Sequence, residues 1–347
     1  DDLGYGDLEV YGQQKIKTPN INALAQDGMR FTNFYAGSTV CAPSRCVLMT
    51  GKHTGHCEIR GNGPYPISDD TQTVAELLKT KDYVTGCIGK WGLGLEGSEG
   101  IPTRQGFDNF FGYLHQGHAH NYYPSFLILN EERISLNNTV PKEKDSGAGV
   151  SSDKQQYSHD LFIESSLAFL DIYHNQPFFL YLPLTIPHAN NEAKNEGMEI
   201  PDYGDYKSED WPGPQKGLAA MITHLDFGIG KIVEKLDELG ITEDTIIMFT
   251  SDNGPHKEGG NDPEFFNSNG SLRGIKRDLY EGGIKVPLIV KWPGKIVPNS
   301  VTSHICGFQD IMPTLADISN ARNAVIDDLD GISFAPLLLD EPSKQNQ

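Results

Sequence analysis

No apolar run in the 347 residues approaches the length of a membrane-spanning helix, which needs ~20 apolar residues. The longest, such as Phe178–Leu184 and Thr245–Thr250, fall far short. Basic residues are scarce: 28 Lys and Arg stand against 47 Asp and Glu, a net charge of −19. That balance argues against a general nucleic-acid or anionic-membrane binder. Cysteine is sparse and unpatterned. The five, at 41, 46, 57, 87 and 306, include no CxxC pair. They therefore give neither a disulfide framework nor a zinc signature, and their odd number leaves at least one free or modified. No internal repeat is present. The chain opens on Asp1 with neither an initiator Met nor a signal sequence. It closes in the polar Glu341–Gln347, which reads as a frayed or cut end.

What is present supports a globular α/β chain. Apolar residues at 37% and charged residues at 22% are enough to bury a core without compositional disorder. Helical spacing predicts helices over Ile21–Met29, Thr73–Thr80, Tyr157–His174 and Lys216–Leu239, the last stopped by Gly240. Short apolar runs at Val84–Ile88, Pro177–Leu184, Thr245–Thr250 and Val286–Lys291 read as buried strands, and the alternation predicts a largely parallel sheet covered by helices. Residues 130–156 and 190–215 read as long polar surface loops.

Polar residues follow several of these strands. Lys90, His188 and Asp252-Asn253 come just after three separate runs, where open α/β sheets place their ligands. A cation, an imidazole and a carboxylate–amide pair would then face one crevice. Cys41-Ala42-Pro43-Ser44-Arg45 places Pro43 in the first turn of a helix. Cys41 would sit near the positive end of that helix.

Taken jointly, Asp1 to Asp7, Cys41 to Arg45 with Thr50-Gly51, Gly89-Lys90-Trp91, Pro187-His188, Ser251-Asp252-Asn253-Gly254 and Lys276 ahead of Tyr280-Glu281-Gly282-Gly283 occur in one order. In this the chain resembles the sulfatase family of the alkaline-phosphatase superfamily over essentially its whole length. The resemblance implies a large, mostly parallel but mixed central sheet flanked by helices on both faces. It implies that Cys41 is converted to formylglycine by a maturation enzyme. Asp1, Asp2, Asp252, Asn253 and residue 41 would hold a divalent cation, Ca²⁺ or alternatively Mg²⁺, and their oxygen donors suit a hard ion. Arg45, Lys90 and Lys276 would add positive charge. Three carboxylates, one divalent cation and three basic side chains sum to +2, which suits a sulfate ester.

The mechanism implied by the resemblance begins with hydration of the aldehyde at 41. One hydroxyl, with Asp252 as candidate base, attacks sulfur; His188 protonates the departing alcohol; the second hydroxyl expels sulfate. One departure stands out. Many relatives carry His two residues beyond the Lys, where this chain has Gly92. His256 is the leading substitute, with His118 and His120 as alternatives. These three and Arg273 are the candidate substrate contacts.

The implied substrate is a sulfated glycan of galactose type, with aryl sulfates as surrogates. The alternatives are a phosphonate or phosphodiester hydrolase of the same superfamily, or a silent metal- and glycan-binding relative. The expected setting is periplasmic or secreted, with a lysosomal one as the alternative. Residues 1–340 read as the catalytic domain without its first strand, and residues 341–347 as the start of a truncated C-terminal region.

Overall fold

The computed structural model describes residues 1–326 and 328–345; the last two residues of the expected C-terminal segment lie outside this range. Among the described residues, ten strands run in chain order as β1 (Met29–Tyr35), β2 (Val84–Lys90), β3 (Asn109–Tyr113), β4 (Phe126–Leu129), β5 (Glu132–Ser135), β6 (Phe178–Tyr181), β7 (Ile247–Thr250), β8 (Lys285–Lys291), β9 (Ser300–Thr302) and β10 (Cys306–Gly307). The helices are α1 (Pro19–Asp27), α2 (Cys41–Thr50), α3 (Val74–Lys79), α4 (Ser158–Tyr173), α5 (Gly213–Glu238), α6 (Glu281–Ile284), α7 (Ile311–Ile318) and α8 (Ala335–Leu338).

Two cores sandwich the strands. Cys87 of β2, Phe110 of β3, and Leu288 and Val290 of β8 pack into one with α2, α3, α7 and α8. Their neighbours Ile88, Phe111 and Ile289 pack into the other with α1, α4 and α5. This is the two-residue period of a strand buried on both faces, and it explains why these strands read as unbroken apolar runs. Burial of each large apolar side chain contributes about 1.5–3 kcal/mol. The α/β layering is as expected.

The hydrogen bonding divides the strands into two sheets. One has the order β10-β1-β8-β7 with β9 also on β1, and the other β5-β4-β3-β2-β6. Both are mixed. β2 is parallel to β3 and β6, whereas β8 is antiparallel to β1 and β7. Within β8, Pro287 has no N–H to give a ladder. It falls where the β1–β8 register shifts between Phe31 and Phe34. The Tyr11 hydroxyl enters there, accepting from Leu288 N–H at 3.1 Å.

Helix boundaries follow local chemistry. α5 starts before its apolar stripe because Pro214 suits a first turn, and it ends before Gly240 at φ +69°. The N-cap Thr18 makes no side-chain cap to α1. Instead Asp226, on the buried face of α5, accepts from Ile21 N–H at 2.7 Å and Asn20 N–H at 3.1 Å. A carboxylate at that end also complements the helix dipole.

Candidate active site

α2 begins at Cys41, and every residue of the helix is buried. No side chain of its N-cap, Val40, closes the first turn; Asn62 Oδ1 accepts the Ala42 N–H at 2.9 Å instead. Lys90 is the last residue of β2, and Ser251-Asp252-Asn253 leaves the end of β7. Beyond β6 the chain passes through the cis Ile186–Pro187 peptide to His188. Asp1 and Asp2 are held against the β7 exit, with Asp2 N–H on Asp252 Oδ1 at 3.1 Å and Leu3 N–H on Ser251 Oγ at 3.0 Å. Asp2 adopts φ +64°, a conformation that aspartate tolerates better than most residues. The expected strand-end arrangement is thus present.

The side chains meet closely. Cys41 Sγ lies 3.3 Å from Asp1 Oδ1, and Lys90 Nζ donates to Asp1 Oδ2 at 2.6 Å. Arg45 donates to Asp252 Oδ2 through Nε at 3.0 Å and Nη2 at 2.8 Å, and it also reaches the Lys90 carbonyl. Lys276 Nζ donates to Asp2 Oδ2 at 2.7 Å and to His188 Nε2 at 3.1 Å. Three carboxylates therefore face three cations in a buried space. Burial alone would raise the Asp252 carboxyl pKa, but Arg45 holds it well below the usual range. Burial likewise opposes the charge on Lys276, while Asp2 raises its pKa. Burial lowers the Lys90 pKa.

The donor set fits a hard cation. Asp1, Asp2, Asp252 and Asn253 offer oxygens, and Asn253 Oδ1 is buried without a hydrogen-bond partner while its amide nitrogen donates to Asp2 Oδ1 at 2.7 Å. A 180° turn of that amide would present the orphaned oxygen to the same place. Nitrogen and oxygen here are distinguished only by such partnerships. Asp1, Asp2, Cys41 and His188 also place potential ligand atoms within 4.8 Å of one another. Adding Ca²⁺ to chelator-treated protein should raise its thermal midpoint, with a stabilisation of about 2.7 kcal/mol at a hundredfold excess over Kd. Differential scanning calorimetry checks this, and an unchanged midpoint would count against a cation at these residues.

The imidazoles separate by their partners. His188 directs Nδ1 at the Ala189 carbonyl, 2.7 Å away, which leaves Nε2 to accept from Lys276. Burial, then Lys276, keeps this ring neutral. His256 stacks beyond it at 6.0 Å, but the Pro187 carbonyl and the Glu258 N–H occupy both its nitrogens, at 3.1 and 3.0 Å. With no free nitrogen, His256 does not serve as the substitute expected from the sequence. His118 is also displaced from that role. It is 2% exposed and packs against Tyr113 and Phe126. Arg273 is exposed and lies over the Tyr280 ring at 3.7 Å; its described side-chain contacts do not include the cluster. His120 joins it too, stacked more closely on His188 at 4.9 Å and 15°. Gly92 has φ +81°, a region disfavoured for a residue with a Cβ, and the Gln116 amide occupies the space beside it.

Several supporting residues were not singled out as site residues from the sequence, although Ser251 lies within a matched motif. Ser251 ties Leu3 to the Asn253 carbonyl. Glu258 lies 3.7 Å from Lys276. Tyr122 donates to the carbonyls of Thr185 and His188, fixing the histidine loop. Their roles depend on contacts between distant segments.

Comparison with known proteins gives the same ordered set of residues a family context. The Sulfatase family model matches residues 1–321. Arylsulfatase A of Homo sapiens is 33% identical over 98% of this chain and 66% of its own length. The N-acetylgalactosamine-6-O-sulfatase of Bacteroides thetaiotaomicron is 32% identical over 86% of this chain and 67% of its own length. The chain thus spans about two thirds of such relatives. The solved structure of Ps i-CgsB in complex with k-i-k-neocarrahexaose superposes with a TM-score of 0.79 at 29% identity, covering 98% of this chain and 75% of that one. With the family model spanning residues 1–321 and the matched motifs gathered at one site, the chain belongs to the sulfatase family.

Proposed function

We propose that this protein hydrolyses sulfate esters of a carbohydrate, using residue 41 after its conversion from cysteine to formylglycine. The observation that carries this reading is the meeting of Cys41, at the start of α2, with an oxygen-donor set and three basic side chains. Formylglycine would supply a hydrated aldehyde oxygen as nucleophile, and a Ca²⁺ ion held by Asp1, Asp2, Asp252 and Asn253 would lower the cost of deprotonating it. The present ion pairs would exchange on loading. With the carboxylates engaged by the cation, Arg45, Lys90 and Lys276 would be available to the anionic ester and would stabilise its charge in a dry site. Lys276 donates to His188 Nε2, the atom from which a proton would pass to the departing sugar oxygen.

The names of the relatives favour a galactose-type sulfate: one is an N-acetylgalactosamine-6-O-sulfatase, and another structure holds neocarrahexaose. The reading carries with it a maturation enzyme as partner and a secreted or periplasmic setting. None of the described helices is long and apolar enough to cross a membrane. Initial rates on matched sulfate and phosphate esters of galactose, and of a nitrophenol, test the reaction class. Sulfate esters should turn over faster in protein made with the maturation machinery. Faster phosphate turnover would overturn the assignment.

A further inference from the structure

We propose that Glu192 is a positioning residue that holds His120 as the second working imidazole of the site, in place of the histidine that Gly92 cannot provide. The inference rests on the proposed sulfatase reading and extends it to two residues from separate loops. His120 belongs to the turn His118–His120, and Glu192 to the turn Asn191–Glu196. His120 Nδ1 lies 3.1 Å from Glu192 Oε2, and its ring stacks on His188 at 4.9 Å with planes 15° apart. Lys144, from a third loop, donates to the other carboxylate oxygen at 3.2 Å.

The carboxylate fixes the ring's chemistry as well as its place. An ionised Glu192 accepts a hydrogen bond from Nδ1–H, so the opposite nitrogen, Nε2, is the one left for another partner. Burial would raise the Glu192 pKa, but the bonds from His120 and Lys144 and the local backbone bring it down to about 2. It is therefore ionised across the working range.

The loop that presents Glu192 is itself anchored. Asn190 is fully buried and accepts the Glu192 N–H at 3.2 Å. Its amide nitrogen reaches Gly149 O at 3.1 Å and Glu199 Oε2 at 2.7 Å. Burial of that amide in a satisfied set of hydrogen bonds makes the Glu192 position reproducible. The ester oxygens, or the leaving oxygen, are the natural partners of His120 at Nε2.

The test compares wild type with His120→Gln, Glu192→Gln and the double variant. Inorganic sulfate binding to Ca²⁺-loaded protein is measured by calorimetry, and kcat and KM on an aryl sulfate. Each single variant should weaken sulfate binding about tenfold, the loss of one charge-assisted contact. The double variant should be no weaker than His120→Gln, because the two residues act as one unit. Glu192→Asp should recover part of the binding. Sulfate affinity unchanged in Glu192→Gln, or multiplicative losses in the double variant, would overturn the proposal. If sulfate binds with the expected coupling but wild type releases no sulfate from any ester, the dyad stands as a binding device and the hydrolase reading falls. If wild type does not bind sulfate, both fall.

Discussion

Cys41→Ala is expected to remove sulfate-ester hydrolysis almost entirely, by ~10⁴-fold or more, the scale of losing a covalent nucleophile. The substitution is small. Cys41 is fully buried, and its Sγ makes one polar contact, to Asp1 at 3.3 Å. The helix dipole, the Asn62 cap on Ala42 and the ion pairs of Arg45 do not depend on that sulfur. Thermal unfolding should therefore shift little while turnover disappears, which separates chemistry from folding. Sulfate release measured by ion chromatography gives the rate. Mass spectrometry of the peptide carrying residue 41 should find an aldehyde in active wild type. Substantial turnover from an unmodified thiol, or from the alanine variant, would refute the nucleophile assignment.

Arg45→Met should carry the largest cost in stability. The guanidinium is 2% exposed, bonds twice to Asp252 Oδ2 and lies 3.5 Å from Asp1 Oδ2. Removing one member of such a buried pair leaves an uncompensated charge, at a cost of about 3–5 kcal/mol. The pH dependence follows from Asp252, whose pKa is lowered in the folded state. Its contribution is present above the ordinary carboxylate pKa and is lost as pH falls through the folded value. The variant should thus lose most at neutral pH, and its deficit should narrow in acid. Urea unfolding of metal-free protein at several pH values measures this; a deficit below about 1 kcal/mol at neutral pH would mean that solvent reaches the pair.

Much of this site could be read from the residues because strand ends are predictable. An apolar run followed abruptly by Lys90, or by Asp252-Asn253, marks both the strand and the place where its polar residues emerge. The long α5 was equally legible from its stripe, apart from its first turn. β1 was not. Met-Arg-Phe-Thr-Asn-Phe-Tyr mixes polar and apolar residues because its register shifts opposite Pro287. The β4–β5 hairpin fell inside segments without a long apolar run, and β5 is exposed throughout.

The division into two sheets depends on pairing partners, which no single segment specifies. The histidines show the same limit more sharply. A sequence gives three equivalent imidazoles at 118, 120 and 256, whereas their chemistry depends on which nitrogen each spends on a neighbour. His120 stacks on His188 and spends Nδ1 on Glu192, which lies 72 residues away.

The ties that close this site span nearly the whole chain: Asp2 meets Asp252 across 250 residues and Lys276 across 274. Contacts of that separation carry the full entropy of closing a long loop and form late. Before they form, the thiol at position 41 lies on an open segment; afterwards it is sealed. On the proposed reading, conversion of that residue would have to precede this closure, and a chain that folded first would keep an unconverted thiol sealed at position 41.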